Sequence, residues 1–179
     1  MSQTSYWKSR DLVLIGVFAA AAKLSTLLIA LAGGGMNPIT LVLKNLVFTV
    51  LLIVLVYKVR RFGVIALFTL VSSLVSILLL GASVALVPGA LAAALVAEVA
   101  ACLLGGYSKK YGPLVAVAVF DAAGKIISFA ISYAMMREVP AMVLAMLPIV
   151  AVGYVGSLLG LPAGWRMLGE LRRAGFIRS

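Results

Sequence analysis

Hydrophobic residues run along this chain in six long stretches separated by short polar breaks. A helix crossing roughly 30 Å of hydrocarbon needs about 20 apolar residues. The pattern predicts spans over about 11–32, 39–57, 62–80, 88–104, 112–136 and 140–168. Gly33, Gly34, Gly35 and Pro38 close the first, and with Met36 and Asn37 they form the first loop. A neutral connection over 81–88 follows the third. Gly105 and Gly106 stop the fourth, and Pro113 sits in the first turn of the fifth, where a missing N–H does no harm. Pro148, Gly153, Gly156, Gly160 and Pro162 make the last stretch the least regular. A kink or break is expected near Pro148 or Pro162. The expected architecture is an all-α membrane protein, a six-transmembrane-helix bundle forming one integral membrane domain over 1–179.

Charge fixes the expected threading. Lys58, Arg60 and Arg61 fill one gap, Lys109 and Lys110 another, and Arg166, Arg172, Arg173 and Arg178 follow the last span. Lys8 and Arg10 precede the first. The alternate gaps hold only Arg137 with Glu138 beside it. Basic loops stay in the cytoplasm, so an even number of spans places both termini there. Trp7, Tyr57, Tyr107, Tyr111 and Trp165 fall near the same boundary, where amphipathic rings favour the interface.

Composition narrows the class further. The chain has 179 residues, 64% of them apolar, and a mean hydropathy of +1.21. That is too little polar surface for a soluble domain of this size. The net charge of +10 does not point to nucleic acid, because the basic residues flank apolar spans and serve orientation and attraction to anionic headgroups. A single cysteine, Cys102, cannot form an intrachain disulfide, and the lack of histidine excludes imidazole chemistry. No cleavable signal peptide is expected, since the first apolar run is too long for one. Two matching halves are not visible, which weighs against an inverted-repeat carrier.

Five ionisable groups fall inside the predicted spans: Lys23, Lys44, Glu98, Asp121 and Lys125. Each costs roughly 2.5–3.5 kcal/mol at mid-membrane, and together on the order of 12 kcal/mol, comparable to a domain's whole stability. They must face the bundle interior, pair, or line a wet cavity. Asp121 and Lys125 share one face of the fifth helix. Lys44 and Asn45 lie in the outer half of the second, and Lys125, Tyr133 and Arg137 climb the fifth towards the outside. One reading is a polar pocket that opens outward and recognises a small solute. The other is a buried network, with Asp121–Lys125 as a pair and Glu98 taking Lys23 or Lys44. Lys23 also has the length to snorkel towards an interface.

Small residues mark close helix approach. Gly16 and Ala20 form a small-xxx-small step on the first helix, among Ala19, Ala21 and Ala22. That face suits either packing or a partner. The alanines of the fourth helix, from Ala90 to Ala101, and Gly153, Gly156 and Gly160 on the sixth suit packing within the bundle. There is no P-loop and no cluster with metal-ligand spacing. Ser72, Ser73 and Ser76 have no base to activate them and are expected to bond helix carbonyls. No catalysis and no cofactor are expected.

With these features, three stretches carry a resemblance. They are Arg10-Asp11-Leu12-Val13-Leu14-Ile15-Gly16-Val17-Phe18, then Lys58-Val59-Arg60-Arg61-Phe62-Gly63, and the terminal run from Met167 to Ile177. The chain resembles the substrate-binding S components of energy-coupling factor (ECF) transporters, and most of all the Trep_Strep group. The resemblance implies a subunit of a prokaryotic plasma-membrane importer for a vitamin or other micronutrient. It implies solute capture from outside and docking on a transmembrane T component, with two ATPase subunits as the motor. Carried onto this chain, Gly16, Ala19 and Ala20 would be the docking surface, and Asn37 with Gly33, Gly34 and Gly35 would belong to a lid. Lys23 departs from the small or apolar docking face that the family implies.

The expected solute site comprises Lys44, Asn45, Glu98, Asp121, Lys125, Tyr133 and Asn37. Three buried lysines against two carboxylates lean towards an anionic or zwitterionic solute. A second hypothesis is a stand-alone ion- or proton-coupled carrier with Asp121 or Glu98 as the coupling carboxylate. A third is a structural membrane protein whose charges only hold the bundle together.

Overall fold

The apolar stretches become six long helices in the computed structural model, which describes residues 6–34, 37–81, 83–109, 111–136, 141 and 144–176. They are α1 (Ser9–Ala32), α2 (Pro38–Val59), α3 (Val64–Leu80), α4 (Val87–Leu103), α5 (Gly112–Met135) and α6 (Leu147–Arg173). No strand occurs among the described residues. Five are long and apolar enough to cross a bilayer, α4 when taken with the 3-10 turn Val84–Leu86 before it. The sixth, α3, has 17 residues. At 1.5 Å per residue it spans about 25 Å, close to the lower limit for a crossing.

Local sequence explains the helix ends. Asn37 opens α2 by accepting the Thr40 N–H, while the Thr40 hydroxyl accepts the Asn37 N–H, and Pro38 follows in the first turn. Arg60 ends α2 in the left-handed region at φ 36°, and Gly63 takes φ 91° just before α3. The Arg60 side chain turns back to bond the Tyr57 carbonyl through Nε at 3.2 Å. Helical residues Ala141 and Leu144 give way to a turn at Ala145 and Met146, and α6 then starts with Pro148 in its first turn, so the last apolar stretch is broken near Pro148 as expected. The helix then continues through Pro162. Arg137, Glu138, Gly35, Met36, Lys110 and Arg178 lie outside the described residues.

Two pairings dominate the packing: α2 against α6, and α4 against α5. The first is set by glycines one turn apart. A Cβ on Gly160 would lie 2.7 Å from the Thr49 Cβ, and one on Gly164 would lie 2.7 Å from Ile53 Cδ1. On Gly156 it would run into the Val42 backbone. Such contact is what small residues permit between helices in lipid. In the second pairing Gly89 faces Ile127 and Ile131, and Ala93 faces Gly124. Helix α1 lies on α2 and α3, with Ile15, Ala19 and Ala22 buried in the core.

The bundle has one basic end. Asp11 pairs with Arg61 at 3.2 Å, Trp7 sits against Gly63, and Lys58 reaches the Phe176 carbonyl. The Trp165 ring stacks on Tyr111 at 6.0 Å and meets Tyr57 edge-on at 6.1 Å. Tyr57 and Tyr107 are buried, so these two rings pack inside that end instead of forming a belt facing lipid.

Candidate functional site: a cavity between two helix pairs

A cavity of about 480 Å³ lies between the α2–α6 and α4–α5 pairs. Asn45 contributes from α2, Ala90 and Ala93 from α4, and Met146 and Val150 from the start of α6 and the residue before it. Helix α5 supplies the longest wall, from Phe120 to Met136. The helices thread alternately, so these residues run from mid-bundle to the end opposite the basic one.

The polar groups of α5 share one face. Asp121, Lys125, Ser128 and Ser132 recur at spacings of three and four and line the cavity together. Lys125 Nζ donates to Asp121 Oδ1 and, at 3.1 Å, to Ser157 Oγ on α6. The Tyr154 ring centroid lies 5.5 Å from the same Nζ. Both charged side chains are largely buried, at 13% and 18% exposure. Asp121 Oδ2 has no partner among the described residues. It is a strong acceptor held at the wall of a cavity, where an unpaired carboxylate oxygen costs free energy until something bonds it. Behind it lies a void of about 10 Å³, walled by Asp121, Thr49, Tyr154 and Ser157, which suits one water-sized guest. The buried Thr49 Oγ1 on this wall also has no partner among the described residues.

Above the cavity, Asn45 Nδ2 donates to the Leu41 carbonyl at 2.8 Å, which fixes the side chain and leaves its oxygen for other use. Three of the expected binding residues therefore converge: Asn45, Asp121 and Lys125. The other four do not. Lys44, next to Asn45, is half-buried outside the cavity lining. Tyr133 is exposed beside that lining and does not belong to it. Asn37 is committed to capping α2 and to the Gly33 carbonyl at 2.6 Å, so it ties the first loop to the helix start.

Glu98 stands elsewhere. It is fully buried and belongs to the core beneath the basic end. Its Oε1 accepts the Ile65 N–H at 2.8 Å, and its Oε2 accepts the Tyr107 hydroxyl at 2.5 Å. Neither Lys23 nor Lys44 is its partner, contrary to the expected network. Ile65 is the second residue of α3, so Glu98 satisfies an amide that helix geometry leaves without a partner. Burial, and then the bond to Glu98, push the Tyr107 phenol well above its ordinary range, so it stays protonated as donor.

Sequence reasoning missed Ser128, Ser132, Ser157 and Phe129. The three-four spacing of 121, 125, 128 and 132 was a usable signal for the two serines on α5. Ser157 lies on another helix and has no such signature. Of the expected docking residues, Ala19 is buried in the core, whereas Gly16 looks into open space on the outer face of α1. Ala20 is half-buried. Ser76 bonds the Ser72 carbonyl at 2.9 Å, as expected of a hydroxyl on an apolar helix, whereas the buried Ser72 Oγ has no partner among the described residues.

Fold and cavity together define a multi-pass helical membrane protein with a largely apolar chamber that carries one strip of polar side chains. A family model described as hypothetical bacterial integral membrane protein (Trep_Strep) matches residues 9–139. The chain belongs to that family, and its place is the bacterial plasma membrane. No curated protein and no solved structure matches it.

Proposed function

We propose that this chain captures a small polar solute in the cavity between its helix pairs, as the substrate-binding S component of an ECF importer. One observation carries the reading: Lys125 and the half-satisfied Asp121 face a chamber of about 480 Å³ inside apolar helices. That volume lies within the range of small-molecule pockets. A carboxylate beside an ammonium matches a zwitterion, which presents one group of each sign. Serine hydroxyls and Asn45 add neutral donors and acceptors around them. With Glu98 in the core, the charge of the cavity wall is balanced, and this favours a zwitterionic or neutral polar solute over a purely anionic one. The outer face of α1 around Gly16 supports docking on a T component, with ATPase subunits beyond it.

The test is purification in mild detergent followed by mass spectrometry of any co-purifying small molecule. A bound polar solute, lost in Lys125→Ala and weakened in the milder Ser128→Ala, is the expected result. Co-isolation of a T component would establish the importer role. Retention of the solute unchanged in both variants would sink the site.

A second reading keeps the same cavity in a stand-alone carrier coupled to a proton or ion. The water-sized void behind Asp121, with its unpaired Oδ2 and Thr49 Oγ1, favours it. Uptake into liposomes driven by an ion gradient without any ATPase would select this reading over the first.

A further inference from the structure

The basic end holds a second cavity, of about 530 Å³, remote from the solute chamber. Its wall brings together Lys8, Arg10, Lys58, Arg60 and Arg61, with Asp11 as the single carboxylate. Asp11 is already engaged by Arg61. Lys58 is turned to the Phe176 carbonyl and Arg60 to that of Tyr57. Lys8 and Arg10 are exposed and have no ion-pair partner among the described residues. Gathering so many like charges around one concavity is unfavourable unless an anion joins them.

We propose that this cavity is a phosphate-binding site, filled by the phosphate of an anionic phospholipid headgroup. The chemistry fits: guanidinium forks and ammonium groups converge on one volume. The first turn of α1 adds the positive end of a 24-residue helix. Position favours lipid as the source. Leu14, Tyr57, Val59 and Phe176 form the apolar part of the wall. Just beyond, Val13 and Val17 stand exposed on the outer face of α1, 64% and 58%. A lipid whose chains lie along that face would bring its phosphate to the basic ring. The proposal is independent of what occupies the solute chamber.

The purified protein is incubated with equal phosphatidylglycerol and phosphatidylcholine, and retained lipid is measured by native mass spectrometry. Wild type is expected to keep phosphatidylglycerol selectively. The double variant Lys8→Gln/Arg10→Gln changes two exposed side chains and should lose on the order of thirtyfold in that retention. A control, Lys109→Gln/Arg166→Gln, removes equal charge from exposed positions outside the cavity and should retain it. Added sodium phosphate separates the sources: resistance assigns the site to a lipid headgroup, displacement to free phosphate, and both support the site. Equal retention of the two lipids with no response to phosphate would overturn it. So would equal loss in the control, which would reduce the effect to diffuse surface charge.

Discussion

The carboxylate of Glu98, on α4, accepts the backbone amide of Ile65, the second residue of α3, at 2.8 Å. One helix thus caps another from the side, using a charge that sequence alone would assign to a binding pocket. Glu98→Ala leaves that amide and the Tyr107 hydroxyl unsatisfied in a dry core, a loss of about 3 kcal/mol or more. We expect a lower melting temperature in detergent, with solute affinity unchanged in the protein that remains folded. A selective loss of affinity at unchanged stability would place Glu98 in the binding site after all.

Tyr107 adds a pH dependence. Its phenol is raised in the folded protein by burial and then by Glu98. The group therefore contributes fully below the ordinary phenol value of about 10, and its contribution fades as pH climbs beyond that. Melting curves between neutral and strongly alkaline pH should show this fall in wild type and less of it in Tyr107→Phe. At neutral pH the same variant should be about 1–3 kcal/mol less stable, from the lost bond.

Asp121 and Lys125 allow stability and binding to be separated. Lys125→Met alone strands a carboxylate at the cavity wall and should cost about 3 kcal/mol. Adding Asp121→Asn should restore most of the stability while leaving the solute unbound. Thermal melts and a solute-binding assay on the two variants check this. A double variant that regains binding along with stability would reduce the pair to a structural role.

Glycines on two helices should respond in opposite ways. Gly160→Ala pushes a methyl into Thr49 and the Leu46 carbonyl and should destabilise by about 1–3 kcal/mol. Gly16→Ala meets nothing within 4 Å and should be neutral, or stabilising by up to about 1 kcal/mol through helix propensity. Gly16→Leu should likewise fold normally, yet prevent co-isolation of a T component if the outer face of α1 docks there. Unaltered complex formation would move the interface off that face.

Asn37→Ala removes the capping bond to Thr40 and the tie to the Gly33 carbonyl. A loss of about 1 kcal/mol in stability is expected. If the first loop acts as a lid, solute release should also speed up; an unchanged release rate would leave Asn37 a cap only.

The spans were legible because a bilayer demands long apolar runs, and the ends of α1, α2 and α5 fall within two residues of the expected ones. The Asp121–Lys125 pair was legible because i,i+4 neighbours meet whatever surrounds the helix. Glu98 was not, since its partners come from a helix start and a loop that only tertiary register brings near. The alanines of α4 and the apolar residues around α1 give no one-sided stripe, because lipid and core are alike oily, so which helices pair could not be read. Pro148 was legible: a proline in an apolar run marks an interruption, and α6 starts there after the turn at Ala145 and Met146.

The glycine seam locks α2 to α6 as firmly as alanine and glycine lock α4 to α5, whereas α5 touches α2 and α6 sparingly. The molecule is therefore built as two leaves joined through α1 and α3, and the chamber lies between them. On the proposed function, a guest would enter by parting the leaves, with every helix left wound, and once seated would act as the clasp that closes them.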